Sequence, residues 1–134
     1  MKDTIIFDLD GTLVNTLPDL TAALNHSLVS LGREPFAYDT VQSLVGRGFE
    51  RLIYAAFGEV QELEKAGYLF KSYYAKHNCD ESKPYDGMVE LLKKLKEENY
   101  KLGVCTNKGH QDAVNIINHF FPNIFEYVLG ESDN

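Results

Sequence analysis

Thr4-Ile5-Ile6-Phe7-Asp8-Leu9-Asp10-Gly11-Thr12-Leu13 is a short apolar, β-branched run that ends in two carboxylates and a glycine. Its length and composition predict a buried strand, since a helix of ordinary size needs a longer periodic stretch. Asp8 falls last on that strand, and Asp10 lies two residues further on. Folding alone gives no reason for acids there. An ionised group beside a core strand loses hydration unless something compensates, and a cation with a phosphoryl group would do so. Gly11 permits a tight turn and a close approach of backbone N–H groups to an anion. The plainer alternative is an Asp-Gly β-turn with an incidental neighbouring acid.

In residue type, spacing and strand context, Asp8-Leu9-Asp10-Gly11-Thr12-Leu13 resembles the first motif of the haloacid dehalogenase-like (HAD) superfamily of phosphohydrolases. The resemblance implies a nucleophilic Asp8 that forms an aspartyl-phosphate. It implies that Asp10 protonates the leaving oxygen and then deprotonates the attacking water. Mg²⁺ is the implied cofactor, with Asp8 and Asp10 as metal ligands, the latter through its backbone carbonyl. Gly11 and Thr12 would contact phosphate, and Thr12 can also hydrogen-bond a carboxylate or cap the next turn. Within the superfamily the second Asp separates phosphate-transferring members from dehalogenases, which lack it.

The 134 residues suffice for one domain with a real core, or for a small domain with an inserted module. A net charge of −7 without a basic cluster argues against a nucleic-acid partner. No apolar stretch approaches the length of a membrane span, and Lys2-Asp3 ahead of a short strand is no signal peptide. Cys79, in a polar loop, and Cys105, in a strand, make neither a metal set nor a promising disulfide, so a reducing, cytoplasmic location is expected.

Beyond Leu13 the periodicity becomes helical. Thr16 is the expected N-cap of a helix carrying Leu17, Leu20, Leu24, Leu28 and Leu31, with Pro18 and Asp19 in its first turn and Gly32 closing it. Three more helices follow: one over about 39–44, one with Leu52, Ile53, Ala56 and Phe57 before Gly58, and one with Leu63, Ala66, Phe70, Tyr73 and Tyr74. The stretch from His77 to Pro84 is polar and reads as a linker or hinge. An amphipathic helix with Val89, Leu92 and Leu95 inward comes next, its lysines forming a solvated face. Lys101 to Thr106 is a second strand, Gln111 to His119 a helix, and Tyr127 to Gly130 a third strand. Alternating strands and helices predict an α/β fold with a parallel, Rossmann-like sheet. The expected division is residues 1–14 and 84–134 as a partial α/β core, with residues 15–83 as an inserted helical cap.

Ligands of open α/β sheets bind beyond the carboxyl ends of the strands. The second strand ends at Thr106, followed by Asn107 and Lys108; a hydroxyl and free helix-start amides there can hold phosphoryl oxygens. Thr106-Asn107-Lys108 is similar to the superfamily's second motif as worded in phosphoglycolate phosphatases; the alternative is a Thr-Asn pair capping the helix near Gly109. Arg47, bracketed by Gly46 and Gly48, resembles a cap loop that faces the active site in those enzymes, where it could pair with a substrate carboxylate. Equally, it could be a solvent-facing residue of a helix connection. His26, His77, His110 and His119 show no metal-ligand spacing.

One departure stands out. Superfamily chains continue into a lysine-bearing third motif and an acidic fourth, whereas this sequence ends soon after the third strand, with Glu131 and Asp133 outside the fourth motif's context. The chain therefore reads as the amino-terminal part of a phosphatase. The expected function is Mg²⁺-dependent hydrolysis of a small phosphorylated metabolite in the manner of phosphoglycolate phosphatases. The alternatives are a phosphosugar mutase of the same superfamily, or a catalytically incompetent fragment that serves as a binding or assembly module. Self-association through the first strand's unpaired edge is a further expectation.

Overall fold

The computed structural model describes residues 3–58 and 60–132; Asp133 lies outside them. Two compact units result, one of Met1–Asn15 with Lys83–Asn134, the other of Thr16–Ser82.

The first unit is built on three parallel strands, β1 (Thr4–Phe7), β4 (Lys101–Gly109) and β5 (Tyr127–Glu131), in the order β1-β4-β5. Helices α5 (Met88–Glu97) and α6 (His110–Phe120) supply the crossovers, so the α/β parallel architecture is realised. The β1–β4 register pairs Thr4 with Lys101 and Phe7 with Val104. Leu9, Leu13, Leu92, Leu102, Val104 and Ile116 are completely or almost completely buried in this unit's core. Phe125 meets Phe7 and Phe121 edge-on, with ring centroids 6.1 and 6.0 Å away. Gly103 leaves room for the Tyr127 ring across the β4–β5 pair: a Cβ there would fall 2.4 Å from Cζ of that ring.

Three boundaries differ from expectation. β1 ends at Phe7, so Asp8 sits one residue past the strand. β4 runs on to Gly109, its pairing with β5 interrupted by a bulge between Cys105 and Gly109. The polar stretch expected as a linker contains a two-residue strand, β3 (Lys83–Pro84), antiparallel to β2 (Val14–Asn15). Proline is tolerated in such a short pair, where few ladder N–H donors are needed.

The second unit contains only helices: α1 (Leu17–Ser30), α2 (Tyr38–Leu44), α3 (Phe49–Phe57) and α4 (Val60–His77). Thr16 occupies the N-cap position of α1 but makes no side-chain cap hydrogen bond. Asp19 accounts for the order there. Its carboxylate, buried to 2 % exposure, accepts from the Glu81 amide at 3.1 and 3.0 Å, the Ser82 amide at 2.8 Å and the Ser82 hydroxyl at 2.6 Å. Ser27 Oγ donates to the Ala66 carbonyl at 2.8 Å, joining α1 to α4 through a buried hydrogen bond. Arg33 ties the far end of the unit, donating to the Phe57 carbonyl and pairing with Glu62 at 3.0 Å. Among the described residues no helix is long and apolar enough to cross a membrane.

Candidate active site

The site begins with the way Leu9 and Leu13 anchor the turn after β1. Both are fully buried, and the amides of Thr12, Leu13 and Val14 all donate to the Leu9 carbonyl. Gly11 completes the turn at φ +75°, a conformation that favours glycine, and its amide donates to the Val14 carbonyl at 3.0 Å. Apolar anchoring of Leu9 and Leu13 leaves Asp8 exposed and Asp10 half-buried. The Asp8 carboxylate accepts from the Leu9 amide at 2.8 Å.

Because β1 and β4 are parallel and Phe7 pairs with Val104, Asp8 and the Cys105–Thr106 segment follow the last β1–β4 pair at the same carboxyl end. Thr106 is half-buried and Asn107 exposed. The Thr106 hydroxyl oxygen accepts from the Lys108 amide at 3.1 Å. Lys108 then turns inward: its side chain is only 7 % exposed, and Nζ lies 3.1 Å from Oδ1 of Asp10, itself 25 % exposed. Coulomb attraction at that distance is roughly 5 kcal/mol for an effective dielectric of about 20, much of it offsetting the ammonium's lost hydration.

Asp8, Asp10, Gly11, Thr12, Thr106 and Asn107 all belong to the sheet unit, whereas Arg47 belongs to the helical one. Arg47 is exposed in the Gly46–Gly48 connection between α2 and α3, where both glycines have positive φ. It lines a cavity of about 900 Å³, formed entirely by helical-unit residues that include Phe49, Arg51 and Tyr54. The four histidines have contacts or exposure of their own. His26 and His77 stack on either side of Tyr73, His110 Nδ1 accepts from the Gly130 amide, and His119 is exposed near the end of α6.

The donor set suits a hard cation in type, since Asp8 and Asp10 offer carboxylate and carbonyl oxygens. Among the described residues, however, no group of three or more His, Cys, Asp or Glu side chains could hold a metal ion. Any Mg²⁺ shell here would be completed by phosphate, water or further groups.

Two features escaped the sequence reading. Lys108 stood in a polar triplet, and only its Thr-Asn-Lys context marked it. Gly130 lies at a crossing of backbones: a Cβ there would fall 2.5 Å from His110 Cα and 2.8 Å from the Lys108 carbonyl oxygen. A lone glycine in a strand was the available signal for that close approach.

A parallel sheet with paired acids at the carboxyl end of its first strand, and a hydroxyl and a lysine at the end of its neighbour, defines the class. Residues 5–134 match the model of the haloacid dehalogenase-like hydrolases, and the chain belongs to that family. It is similar to the phosphoglycolate phosphatase of Caulobacter vibrioides, 45% identical over 111 residues that cover 78% of this chain and 47% of the relative. The phosphoglycolate phosphatase of Agrobacterium fabrum is 40% identical over 118 residues, 84% of this chain and 51% of the relative. Among solved structures, a predicted phosphoglycolate phosphatase from Haemophilus somnus superposes with a TM-score of 0.91 at 31% identity, covering 96% of this chain and 62% of that one. The chain thus spans about half the length of these two curated relatives.

Proposed function

We propose that the chain carries the phosphoryl-transfer site of a Mg²⁺-dependent phosphatase acting on a small phosphorylated metabolite of the phosphoglycolate type. The observation that carries the reading is the convergence of Asp8, Asp10, Thr106 and Lys108 at one end of the β1–β4 pair. Similarity to phosphoglycolate phosphatases supports the substrate class.

Asp8 is exposed, so an incoming phosphate ester can reach its carboxylate. The carboxylate oxygen attacks phosphorus, forming an aspartyl-phosphate and breaking the ester bond. Asp10 gives a proton from Oδ2, the oxygen that Lys108 does not hold, to the departing alkoxide, then takes one from the water that hydrolyses the acyl phosphate, which restores both carboxyl groups. Gly11, Thr12, the Thr106 hydroxyl and the Asn107 backbone are the candidate phosphate contacts. Mg²⁺, when held by the Asp8 carboxylate and the Asp10 carbonyl, would neutralise charge between nucleophile and phosphate. Arg47 is the candidate contact for the substrate's own carboxylate.

A net charge of −7 favours a small-molecule partner over nucleic acid. Cys79 and Cys105, outside any disulfide, fit a reducing cytoplasmic setting.

The test is chemical trapping. With Mg²⁺ and beryllofluoride, the adduct should map to Asp8 and vanish in Asp8→Asn, whose fold should be intact because the change is nearly isosteric. An adduct on Asp10 or on a histidine would overturn the assignment.

A further inference from the structure

Lys108 has no part in the steps above, yet it is the most enclosed charged residue at the site, at 8 % overall exposure. Burying an ammonium is costly, and a chain retains one where its charge and geometry are used. Three contacts fix it. Its amide donates to the Thr106 hydroxyl oxygen at 3.1 Å, its carbonyl oxygen is packed against Gly130, and its Nζ holds Asp10 Oδ1 at 3.1 Å. Gly130 is itself held, its amide donating to His110 Nδ1 at 3.1 Å. Lys108 therefore joins two places that the sequence keeps far apart, the turn after β1 and the end of β4.

We infer that Lys108 is a positioning residue that sets the Asp10 carboxylate relative to the Thr106 hydroxyl, acting through Asp10 rather than on the phosphoryl group. The inference rests on the phosphatase reading for its catalytic consequence, but the brace itself does not. A carboxylate on a half-exposed turn has rotamer freedom, and the ion pair removes it. Proton transfer to the leaving oxygen depends on that placement, and misplacing a catalytic group by about 1 Å can cost ~10²-fold. Substrate binding would feel the change much less, because the Lys108 ammonium is already engaged by Asp10.

The first arm needs no turnover. In ¹⁵N-lysine-labelled chain, the Lys108 ammonium should give a slowly exchanging signal, absent in Lys108→Met and shifted or lost in Asp10→Asn. A signal indifferent to Asp10→Asn would overturn the brace. The second arm uses the complete polypeptide that the gene encodes, with Mg²⁺ and an aryl phosphate. Lys108→Met should lower kcat by about 10²-fold with KM changed less than about threefold, the signature of an interaction used in the transition state. In an Asp10→Asn background the same change should have little further effect, and Lys108→Arg should restore part of the rate. Should Lys108→Met fail to fold, Lys108→Arg and Gly130→Ala replace it, since each moves the ammonium without removing it. A raised KM with kcat unchanged, or a full loss that persists without Asp10, would overturn the role and point to direct phosphate contact. Wild-type protein with no Asp8-dependent turnover but an Asp10-sensitive ammonium signal would refute the phosphatase reading, and the catalytic role with it, while leaving the ion pair standing.

Discussion

Replacing Asp19 with alanine should destabilise the helical unit by about 3–4 kcal/mol, a cost worked from the partners it abandons. Four donor contacts reach its carboxylate, from two amides and one hydroxyl. They are unequal in consequence. Glu81 is exposed, so its amide can turn to water, whereas Ser82 is 3 % exposed and its amide would be stranded. A stranded buried donor that loses a charged partner costs roughly 2–3 kcal/mol, and the lost hydroxyl contact adds about 1. Asp19→Asn keeps one acceptor oxygen for Ser82 but turns an NH₂ towards Glu81, so about half the loss is expected. Ser82→Ala removes only the hydroxyl and should cost about 1 kcal/mol. Urea unfolding of the three variants gives the ranking, provided the m-value is unchanged. Native-state hydrogen exchange at the Ser82 amide gives the local effect, with protection falling in the same order. An Asp19→Ala variant within about 1 kcal/mol of wild type, or a Ser82→Ala variant equally damaged, would refute the reasoning.

Other substitutions probe the site and the sheet. Asp10→Asn keeps the backbone carbonyl, so Mg²⁺ affinity measured by calorimetry should persist while turnover falls by about 10²–10⁴-fold; a joint collapse would make the side chain a metal ligand. Gly103→Ala pushes a methyl into the Tyr127 ring and should cost about 1–3 kcal/mol, less in a Tyr127→Ala background. Equal costs in both backgrounds would show that the ring moves aside freely. Among the described residues β1 pairs with β4 alone, and Ile6 is 60 % exposed, so we propose self-association through that edge. Sedimentation across a dilution series should detect it, and Ile6→Lys should abolish it. A chain that stays monomeric when concentrated would dispose of the idea.

Local patterns in the chain made most of its elements legible. Leucines at helical spacing marked α1, glycine after a helical run marked the end of α3 at Gly58, and β-branched runs marked β1 and β4. The acids after β1 were equally plain, because chemistry rather than folding explains them. What stayed hidden depends on partners distant in sequence. Asp19 looked like a residue complementing a helix dipole, yet its hydrogen bonds run to residues 62 and 63 positions away. Two residues of β3, one of them proline, carry no periodicity that could announce a strand. Lys108 was marked only as the last residue of the Thr-Asn-Lys triplet, and the parallel pairing of β4 with β1 brings it to Asp10. That pairing also revises the question of what compensates the two acids, since for Asp10 the protein provides a cation of its own.

The short β2–β3 pair has a bearing on ancestry. Val14 faces Pro84 and Asn15 faces Lys83, so the polypeptide departs and re-enters as hydrogen-bonded neighbours, about 4.8 Å apart. Any excursion whose two ends meet at that spacing could be spliced in or out without stretching the sheet on either side. A tight two-residue turn would close the same gap. A doorway of fixed width allows the helical segment to be traded, lengthened or lost by recombination while the acids after β1 stay where they are.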